Sequence, residues 1–301
     1  MSEKHLISII GPTGVGKTSL AIAISTQFKA PIISSDSRQF YKEMSIGTAV
    51  PTPKELAAAP HHFIQHKSIH EPYSVGDFEK EAMAFLEHYY KEKSVAILVG
   101  GSGLYTDAVC QGLDYFPKVP ISVREDLNTR LLKQGLVVLQ EELKIVDPIS
   151  FKNIAIDNPV RVIRALEIYQ VSGQPYSSFL NKVKTPRPFK IHTLGIEAPR
   201  EDLYKRINLR VEHMLAAGLV AEAKLLYPLR NLNALKTVGY KELFSYFNNE
   251  IDLKTAIEEI KKNSRRFAKR QSTWNRKKTN VQWVSYKSAF QESMDYLNKN
   301  T

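Results

Sequence analysis

The chain has 301 residues, of which 43% are hydrophobic, enough apolar side chains for a buried core in one or two domains. Lysine and arginine number 42 against 31 acidic residues, so the net charge is +11 and favours an anionic partner. The single cysteine, Cys110, excludes an internal disulfide and a cysteine-rich zinc site, and it indicates a reducing compartment such as the cytoplasm. The first apolar run, residues 6–10, is too short for a signal peptide or a membrane span, so we expect no membrane association.

The first segment predicts a buried strand at 6–10, a phosphate-binding loop and a helix at 17–28. The loop fits the pattern G-x-x-x-x-G-K-[ST] and consists of Gly11, Pro12, Thr13, Gly14, Val15, Gly16, Lys17 and Thr18. Backbone N–H groups of such a loop surround a phosphate, the lysine reaches its oxygens, and the hydroxyl of Thr18 is a candidate Mg²⁺ ligand. A strand before the loop and a helix after it are the context in which this pattern indicates a real site.

A second strand, 31–34, leads into a polar segment made of Asp36, Ser37, Arg38 and Gln39. Ligands of parallel sheets bind beyond the carboxyl ends of the strands, so we expect Asp36 on the same edge as Lys17. A functional Asp36 would be a metal ligand or a proton acceptor, whereas a structural one would cap a helix.

A third strand is predicted at 94–99, after a helix at 78–90, and it ends in a second glycine-rich turn, 100–103. A nucleotide-hydrolysing enzyme normally has a metal-binding aspartate at the end of such a strand, and none is present. We therefore expect the loop to hold a departing diphosphate, even though the motif alone indicates ATP binding. Alternating strands and helices predict an α/β fold, with a parallel sheet like that of the P-loop NTPases.

The remaining chain predicts two further parts. Helical patterns at 123–133, 136–146 and 159–172 lie between proline-rich loops, and they predict a helical insertion domain at 115–188. The core would thus comprise 1–114 and 189–301, the latter with strands at 191–196 and 281–284 and helices elsewhere. Four histidines between the second and third strands lack supporting carboxylates and are interpreted as loop and core residues: His61, His62, His66 and His70.

Most of the positive charge lies in one C-terminal helix. Residues 254–278 contain ten lysines and arginines and two glutamates, a net charge of +8. Two acids cannot neutralise ten cations, so we expect this helix to contact nucleic acid, with steep weakening by salt. One face of the helix is approximated by Ile257, Ile260, Phe267, Gln271 and Trp274.

Motifs along nearly the whole chain together resemble one family, the tRNA dimethylallyltransferases, also called tRNA isopentenyltransferases. The resemblance rests on the phosphate loop, on Ser35-Asp36-Ser37-x-Gln39-x-Tyr41, on Gly100-Gly-Ser-Gly-Leu-Tyr105, on Asn158-Pro159-x-Arg161-Val-x-Arg164-Ala-Leu-Glu167, on Val238-Gly-Tyr-Lys-Glu242 and on Lys269-Arg270-Gln271-x-x-Trp274.

The resemblance implies transfer of a dimethylallyl group from dimethylallyl diphosphate to N6 of adenosine 37 in the anticodon stem-loop of tRNA. It implies Mg²⁺ as cofactor and a cytoplasmic monomer, with the segment 115–188 embracing the anticodon arm. The implied catalytic residues are Lys17, Thr18, Asp36, Ser102 and Arg210. The implied tRNA contacts are Asp36, Ser37, Arg38, Gln39, Ser102, Arg124, Val160, Arg161, Val162, Ile163 and Arg164.

The sequence departs from the family pattern at three positions, with Val160 in place of glutamine, Ser102 in place of threonine and Gln65 in place of aspartate. Three other functions stay open: an adenylate isopentenyltransferase, a P-loop small-molecule kinase and a non-enzymatic tRNA-binding module. The basic helix and the insertion disfavour the first, because a mononucleotide acceptor needs neither.

Overall fold

The computed structural model describes residues 3–180, 182 and 186–301, and these form two compact units. Unit 1 consists of the described residues up to Gln111 together with Pro186–Thr301, and unit 2 lies within Gly112–Thr185. The predicted insertion, 115–188, begins three residues after the first residue of unit 2 and ends three residues after its last.

A parallel sheet forms the centre of unit 1, as the sequence predicts. Its order is β3-β2-β4-β1-β5-β6, and each neighbouring pair of strands is parallel. The strands are β1 His5–Ile10, β2 Ile32–Ser34, β3 His61–His62, β4 Val95–Val99, β5 Lys190–Glu197 and β6 Val281–Ser285.

Helices make up most of the remaining described residues. Short elements such as α2 (Pro53–Ala58), β3 and α7 (Pro148–Asn153) were not predicted, because two to six residues are too few to show a period. No described helix combines the length and the apolar character needed to cross a membrane. The helices are α1 Lys17–Phe28, α2 Pro53–Ala58, α3 Val75–Tyr89, α4 Gly103–Gln111, α5 Ile121–Gln134, α6 Leu136–Val146, α7 Pro148–Asn153, α8 Pro159–Ser172, α9 Arg200–Ala216, α10 Leu219–Leu226, α11 Tyr240–Phe247, α12 Leu253–Asn275 and α13 Ala289–Asn300.

Alternation along β1 explains why the sheet is covered on both faces. Ile7 and Ile9 point to one face and pack with Ile24 of α1. Leu6 points to the other face and packs with Phe78 of α3. Because both faces are buried, polar chemistry in this part of unit 1 is confined to the ends of the strands.

The strand register brings the carboxyl ends of three strands to one edge of the sheet. Val99, the last residue of β4, is paired with Ile9 of β1 on one side and with Ser34 of β2 on the other. The turns that follow β1, β2 and β4 therefore start side by side, as the sequence predicts for Lys17 and Asp36.

Unit 2 is a helical unit with its own core, contributed by α5, α6 and α8. Leu127, Leu139, Leu143, Val162 and Leu166 are fully buried and pack together. The spacing of apolar residues along these helices is the pattern typical of helices that pack against a core.

One carboxylate fixes the loop that follows Met44 in unit 1. Glu222 of α10 accepts hydrogen bonds from the backbone N–H groups of Ser45 at 3.0 Å, Ile46 at 2.8 Å and Gly47 at 2.9 Å. The hydroxyl of Tyr240 donates to the same carboxylate at 2.6 Å, and burial together with this bond raises the pKa of Tyr240. The loop is therefore tied to α10 and α11 by a single side chain.

We expect Glu222→Ala to lower the free energy of unfolding by about 3 kcal/mol, because three backbone N–H groups and a buried hydroxyl lose a charged acceptor. Glu222→Gln should cost about 1 kcal/mol, since one oxygen remains to accept. Urea denaturation followed by circular dichroism measures both. The exposed Glu258→Ala, which breaks only a surface pair with Lys261, is the control; an equal loss there would contradict the assignment.

Candidate active site

The phosphate-binding loop connects β1 to α1. Gly16, immediately before the helix, has φ 111°, a left-handed conformation that favours glycine. Lys17 is the first helical residue, and its ammonium donates to the carbonyls of Gly11 and Pro12, each at 2.9 Å. The lysine therefore folds back over its own loop. Thr18 lies in the first turn of α1 and lines the cavity next to the loop.

Two arginines of α9 add positive charge beside this loop. Arg210 Nη1 donates to Thr13 Oγ1 at 3.2 Å, and Arg206 Nε donates to the Gly14 carbonyl at 2.7 Å. Desolvation lowers the pKa of Lys17 to about 8, and it lowers the pKa of Arg210 as well, while the charge of Asp36 opposes both shifts. The loop is thus a concentrated cationic site, and the charge of Asp36 acts on two of its cations.

Asp36 lies in the turn after β2 and does not cap a helix, because residues 37–40 form a turn. Its Oδ1 accepts the Arg38 N–H at 3.1 Å, and its own N–H donates to Ser34 Oγ at 3.3 Å. Among the described residues, none donates a hydrogen bond to Asp36 Oδ2. The helix-capping alternative is therefore wrong, and one carboxylate oxygen is available to a ligand.

The glycine-rich turn after β4 packs directly on the turn that carries Asp36. A side chain at Gly100 would place its Cβ 2.3 Å from Ser35 Oγ, so only glycine permits this approach. Ser102 Oγ accepts the Ser37 N–H at 3.1 Å and lies 2.9 Å from Ser37 Oγ. The hydroxyl of Ser102 therefore holds the Asp36 turn in place.

A glutamine from α12 joins two of these turns. Gln271 Oε1 accepts the Thr13 N–H at 2.8 Å, and Gln271 Nε2 donates to the Gly101 carbonyl at 2.7 Å. Gln271 is buried and separated from Thr13 by more than 250 residues of chain, so no local spacing could predict the contact.

Two cavities meet at this point of unit 1. We call the first the loop cavity, about 610 Å³ in volume and lined by Gly14, Lys17 and Thr18 among others. The second is the helix cavity, about 690 Å³ in volume and lined by Ser102 and by side chains of α12. The residues that line both cavities are Thr13, Asp36, Gly101, Arg210, Phe267 and Gln271.

The buried face of α12 differs from the predicted one. Phe267 is 38% exposed and Trp274 is 46% exposed, and both line the helix cavity. The Trp274 Nε1 donates to Asp107 Oδ2 at 3.0 Å, which fixes the ring. The face that α12 does bury consists of Ala256, Ile260, Ala268, Gln271 and Asn275.

The other residues implied for tRNA contact lie partly in unit 1 and partly in unit 2. In unit 1, Gln39 Nε2 donates to the Ala49 carbonyl at 2.9 Å, and Arg38 donates to the Ala234 carbonyl at 3.0 Å. In unit 2, Val160 and Arg161 are exposed, Arg124 is paired with Glu167, and Arg164 is half-buried. The side chains of Val162 and Ile163 are buried in the core of unit 2, so they contribute to packing and not to a surface.

Metal-binding clusters of three or more histidine, cysteine, aspartate or glutamate side chains are absent from the part of the chain that the structure describes. His61 and His62 form β3; His61 Nδ1 lies 2.8 Å from the Ala59 carbonyl, and the ring centroid of His62 lies 4.2 Å from that of Phe85.

Burial raises the pKa of Cys110 to about 11, so its thiol is protonated at neutral pH.

Comparison with known proteins identifies the group to which this arrangement belongs. The family model described as IPP transferase matches residues 39–278. The chain is 54% identical over 295 residues to a tRNA dimethylallyltransferase of Christiangramia forsetii, covering 98% of each chain. It is 50% identical over 303 residues to a tRNA dimethylallyltransferase of Flavobacterium johnsoniae, covering 99% of this chain and 98% of the other.

Solved structures show the same likeness. A tRNA isopentenylpyrophosphate transferase from Bacillus halodurans is 35% identical, with a TM-score of 0.72 and coverage of 99% of this chain and 96% of the other. A eukaryotic dimethylallyltransferase acting on tRNA is 27% identical, with a TM-score of 0.84 and coverage of 99% and 80%. With matches over nearly its whole length, the chain belongs to the IPP transferase family.

Proposed function

We propose that this protein transfers a dimethylallyl group from dimethylallyl diphosphate to N6 of adenosine 37 in the anticodon stem-loop of tRNA. The observation that carries this proposal is the position of Asp36, a residue that lines both the loop cavity and the helix cavity. A carboxylate at that junction can contact a nucleophile that enters from one cavity while its reaction partner occupies the other.

The loop cavity suits the diphosphate of the donor. Backbone N–H groups of the loop, the Lys17 ammonium and the Arg210 guanidinium surround the space in which negative charge would develop. To reach that charge, Lys17 must exchange its bonds to the Gly11 and Pro12 carbonyls for bonds to phosphate oxygens. The cations then stabilise the leaving diphosphate more than the bound donor, which is the condition for faster reaction.

The helix cavity suits an adenine together with the apolar prenyl group. Ile207, Val211 and Met214 give this cavity an apolar wall, whereas Phe267 and Trp274 offer aromatic surface to a base. A base stacked in the anticodon loop cannot reach such a cavity, so the nucleotide has to be extruded.

The transfer step balances with the residues at the junction. The N6 lone pair forms the new C–N bond, and the electron pair of the breaking C–O bond leaves with diphosphate. Asp36 Oδ2, which has no donor among the described residues, accepts the proton that N6 must lose. Ser102 keeps this carboxylate in place through Ser37.

The residues present fit Mg²⁺ as a cofactor shared with the diphosphate. Thr18 lines the loop cavity and donates no hydrogen bond to another described residue, so its hydroxyl oxygen is free to be a ligand. Mg²⁺ commonly binds proteins through one or two oxygen ligands and completes its shell with phosphate oxygens and water. When bound, the ion would supply charge neutralisation to the diphosphate.

The proposal is tested by incubating the protein with an unmodified anticodon stem-loop, dimethylallyl diphosphate and Mg²⁺. We expect a prenylated adenosine, identified by mass spectrometry of the nucleosides, and release of diphosphate. AMP as acceptor is the parallel reaction, and preferential prenylation of AMP would instead favour an adenylate isopentenyltransferase. The absence of product with several loops carrying adenosine 37 would overturn the proposal.

Asp36→Asn should lower turnover by about 10²- to 10⁴-fold, because the amide keeps the shape but cannot accept a proton from N6. Donor affinity should stay the same or increase, since the substitution removes the negative charge of Asp36, which interacts with both Lys17 and Arg210. Single-turnover kinetics and calorimetric titration with the donor measure the two quantities.

The matched control for Asp36 is Glu55→Gln. Glu55 also lines the loop cavity, but its carboxylate accepts the N–H and hydroxyl of Thr52, at 2.8 and 2.9 Å. This variant should retain most of the turnover. If Asp36→Asn stayed within about tenfold of the unmodified protein, Asp36 would not be the general base.

Donor affinity should fall as the pH rises above about 8, because Lys17 loses its charge there in the free protein. The bound diphosphate raises the pKa of this lysine, so binding takes up a proton and each pH unit weakens affinity by at most about tenfold. Calorimetry between pH 7 and 9.5 measures the affinity and the proton uptake. Lys17→Ala should bind weakly at every pH; the same pH dependence in that variant would assign the titration to another group.

A further inference from the structure

A buried carboxylate in unit 2 holds two of the arginines that the family resemblance implies for tRNA contact. Glu167 of α8 is fully buried. Arg124 of α5 binds it with two donors: Nε contacts Oε1, and Nη2 contacts Oε2 at 2.9 Å. Arg164, one turn earlier on α8, donates from Nη1 to Oε2 at 3.2 Å. One carboxylate therefore anchors guanidinium groups from two helices.

The surroundings explain why both arginines are fixed. Glu167 is next to Leu166, part of the core of unit 2, so its charge has no access to water and depends on the two guanidiniums. Arg124 uses two of its three nitrogens in a planar fork, which fixes the orientation of the whole group. The hydrogen bonds with Glu167 also raise the pKa of Arg124.

The side chains of Arg124 and Arg164 are partly exposed to solvent. The Arg124 side chain is 57% exposed and the Arg164 side chain is 37% exposed, although their partner is fully buried. Arg164 also lies 5.3 Å above the ring of Phe116, and that ring is stacked on Tyr176 at 5.0 Å between centroids. Arg164 is thus held by a carboxylate at one side and by an aromatic ring at another.

We propose that Glu167 is a positioning residue that presents Arg124 and Arg164 as a preset pair of phosphate-binding groups for the tRNA backbone. This inference rests on the proposed function. Contacts to phosphate set the register and orientation of a bound nucleic acid, and fixed guanidiniums make those contacts without first being ordered. Arg161, exposed and one turn before Arg164, extends the same surface.

A purely electrostatic role for Glu167 predicts the opposite result from a positioning role. Replacing an acid by a neutral residue raises the net charge by one, and general attraction to RNA should then increase. Loss of positioning should instead weaken binding, because both arginines become free to move. The sign of the change therefore separates the two roles.

The experiment measures binding of an anticodon stem-loop by fluorescence anisotropy over a series of salt concentrations. Glu167→Gln is compared with Glu142→Gln, which removes an acid from the ion pair of Glu142 with Arg130 in the same unit. The two variants have the same net charge, and both lose one carboxylate that binds arginine. The resemblance implies no tRNA contact for Arg130.

We expect Glu167→Gln to bind the stem-loop about tenfold more weakly, which corresponds to one or two lost charged contacts. Its salt dependence should fall by about 0.7 in log–log slope for each lost phosphate contact. Glu142→Gln should bind as tightly as the unmodified protein or slightly more tightly, and donor affinity should be unchanged in both. Equal or tighter binding by Glu167→Gln would overturn the inference.

Glu167→Asp keeps the charge but withdraws the carboxylate by one methylene. This variant tests the inference if Glu167→Gln does not fold. Positioning predicts weaker binding by this variant, whereas simple neutralisation of buried charge predicts unchanged binding. Failure of the unmodified protein to bind or prenylate the stem-loop would reject the proposed function itself. Normal prenylation by the unmodified protein with no defect in Glu167→Asp would reject only the role of Glu167.

Discussion

The hydrogen bonds of Gln271 are the contact on which the site in unit 1 depends. Its amide joins the turn after β1, through the Thr13 N–H, to the turn after β4, through the Gly101 carbonyl. Both partners are backbone groups, so the bond fixes main-chain positions and not just side chains. Since Gln271 belongs to α12, the long basic helix is connected to the phosphate loop and to the wall between the two cavities.

Charge at this wall is arranged for a reaction that produces an anion. Lys17 and Arg210 have lost hydration, which lowers the pKa of each, and Asp36 compensates only in part. The carbonyls of Gly11 and Pro12 hold the Lys17 ammonium until an anion replaces them. The site therefore has unsatisfied positive potential before the ligand arrives, and it needs little reorganisation when negative charge grows.

The sequence predicts the parts of this site that depend on local patterns. A glycine-rich loop between an apolar run and a helix predicts the position of Lys17, and the order of strands places Asp36 on the same edge. The contacts of Gln271 and Glu222 and the pair of Arg124 with Glu167 are different, because each joins residues distant in the chain and no spacing rule describes them. Apolar periodicity also fails to predict the buried face of α12. Phe267 and Trp274 line a cavity, and the sequence pattern cannot distinguish a cavity wall from a core.

The positive charge of α12 is more localised than its composition indicates. Lys261 is paired with Glu212 and Glu258, and Lys262 is paired with Glu259. Lys278, beyond the helix end, is paired with Asp107. Acids from α9 and α4 thus neutralise part of the positive charge of residues 254–278, in addition to the two glutamates within those residues. Six cations toward the end of α12 and just beyond it have no acidic partner among the described residues: Arg265, Arg266, Lys269, Arg270, Arg276 and Lys277.

The cations of α12 in unit 1 and the two arginines of unit 2 therefore differ in how they are held. On α12, Arg266, Lys269 and Arg270 are exposed to solvent and have no acidic partner among the described residues. Charges of this kind attract a polyanion over a distance set by the salt concentration. In unit 2, Glu167 partly neutralises the charge of Arg124 and Arg164, and its hydrogen bonds fix the orientation of both guanidinium groups. The proposed roles in long-range attraction and short-range register thus fall on separate residues, so each can be altered by substitution without the other.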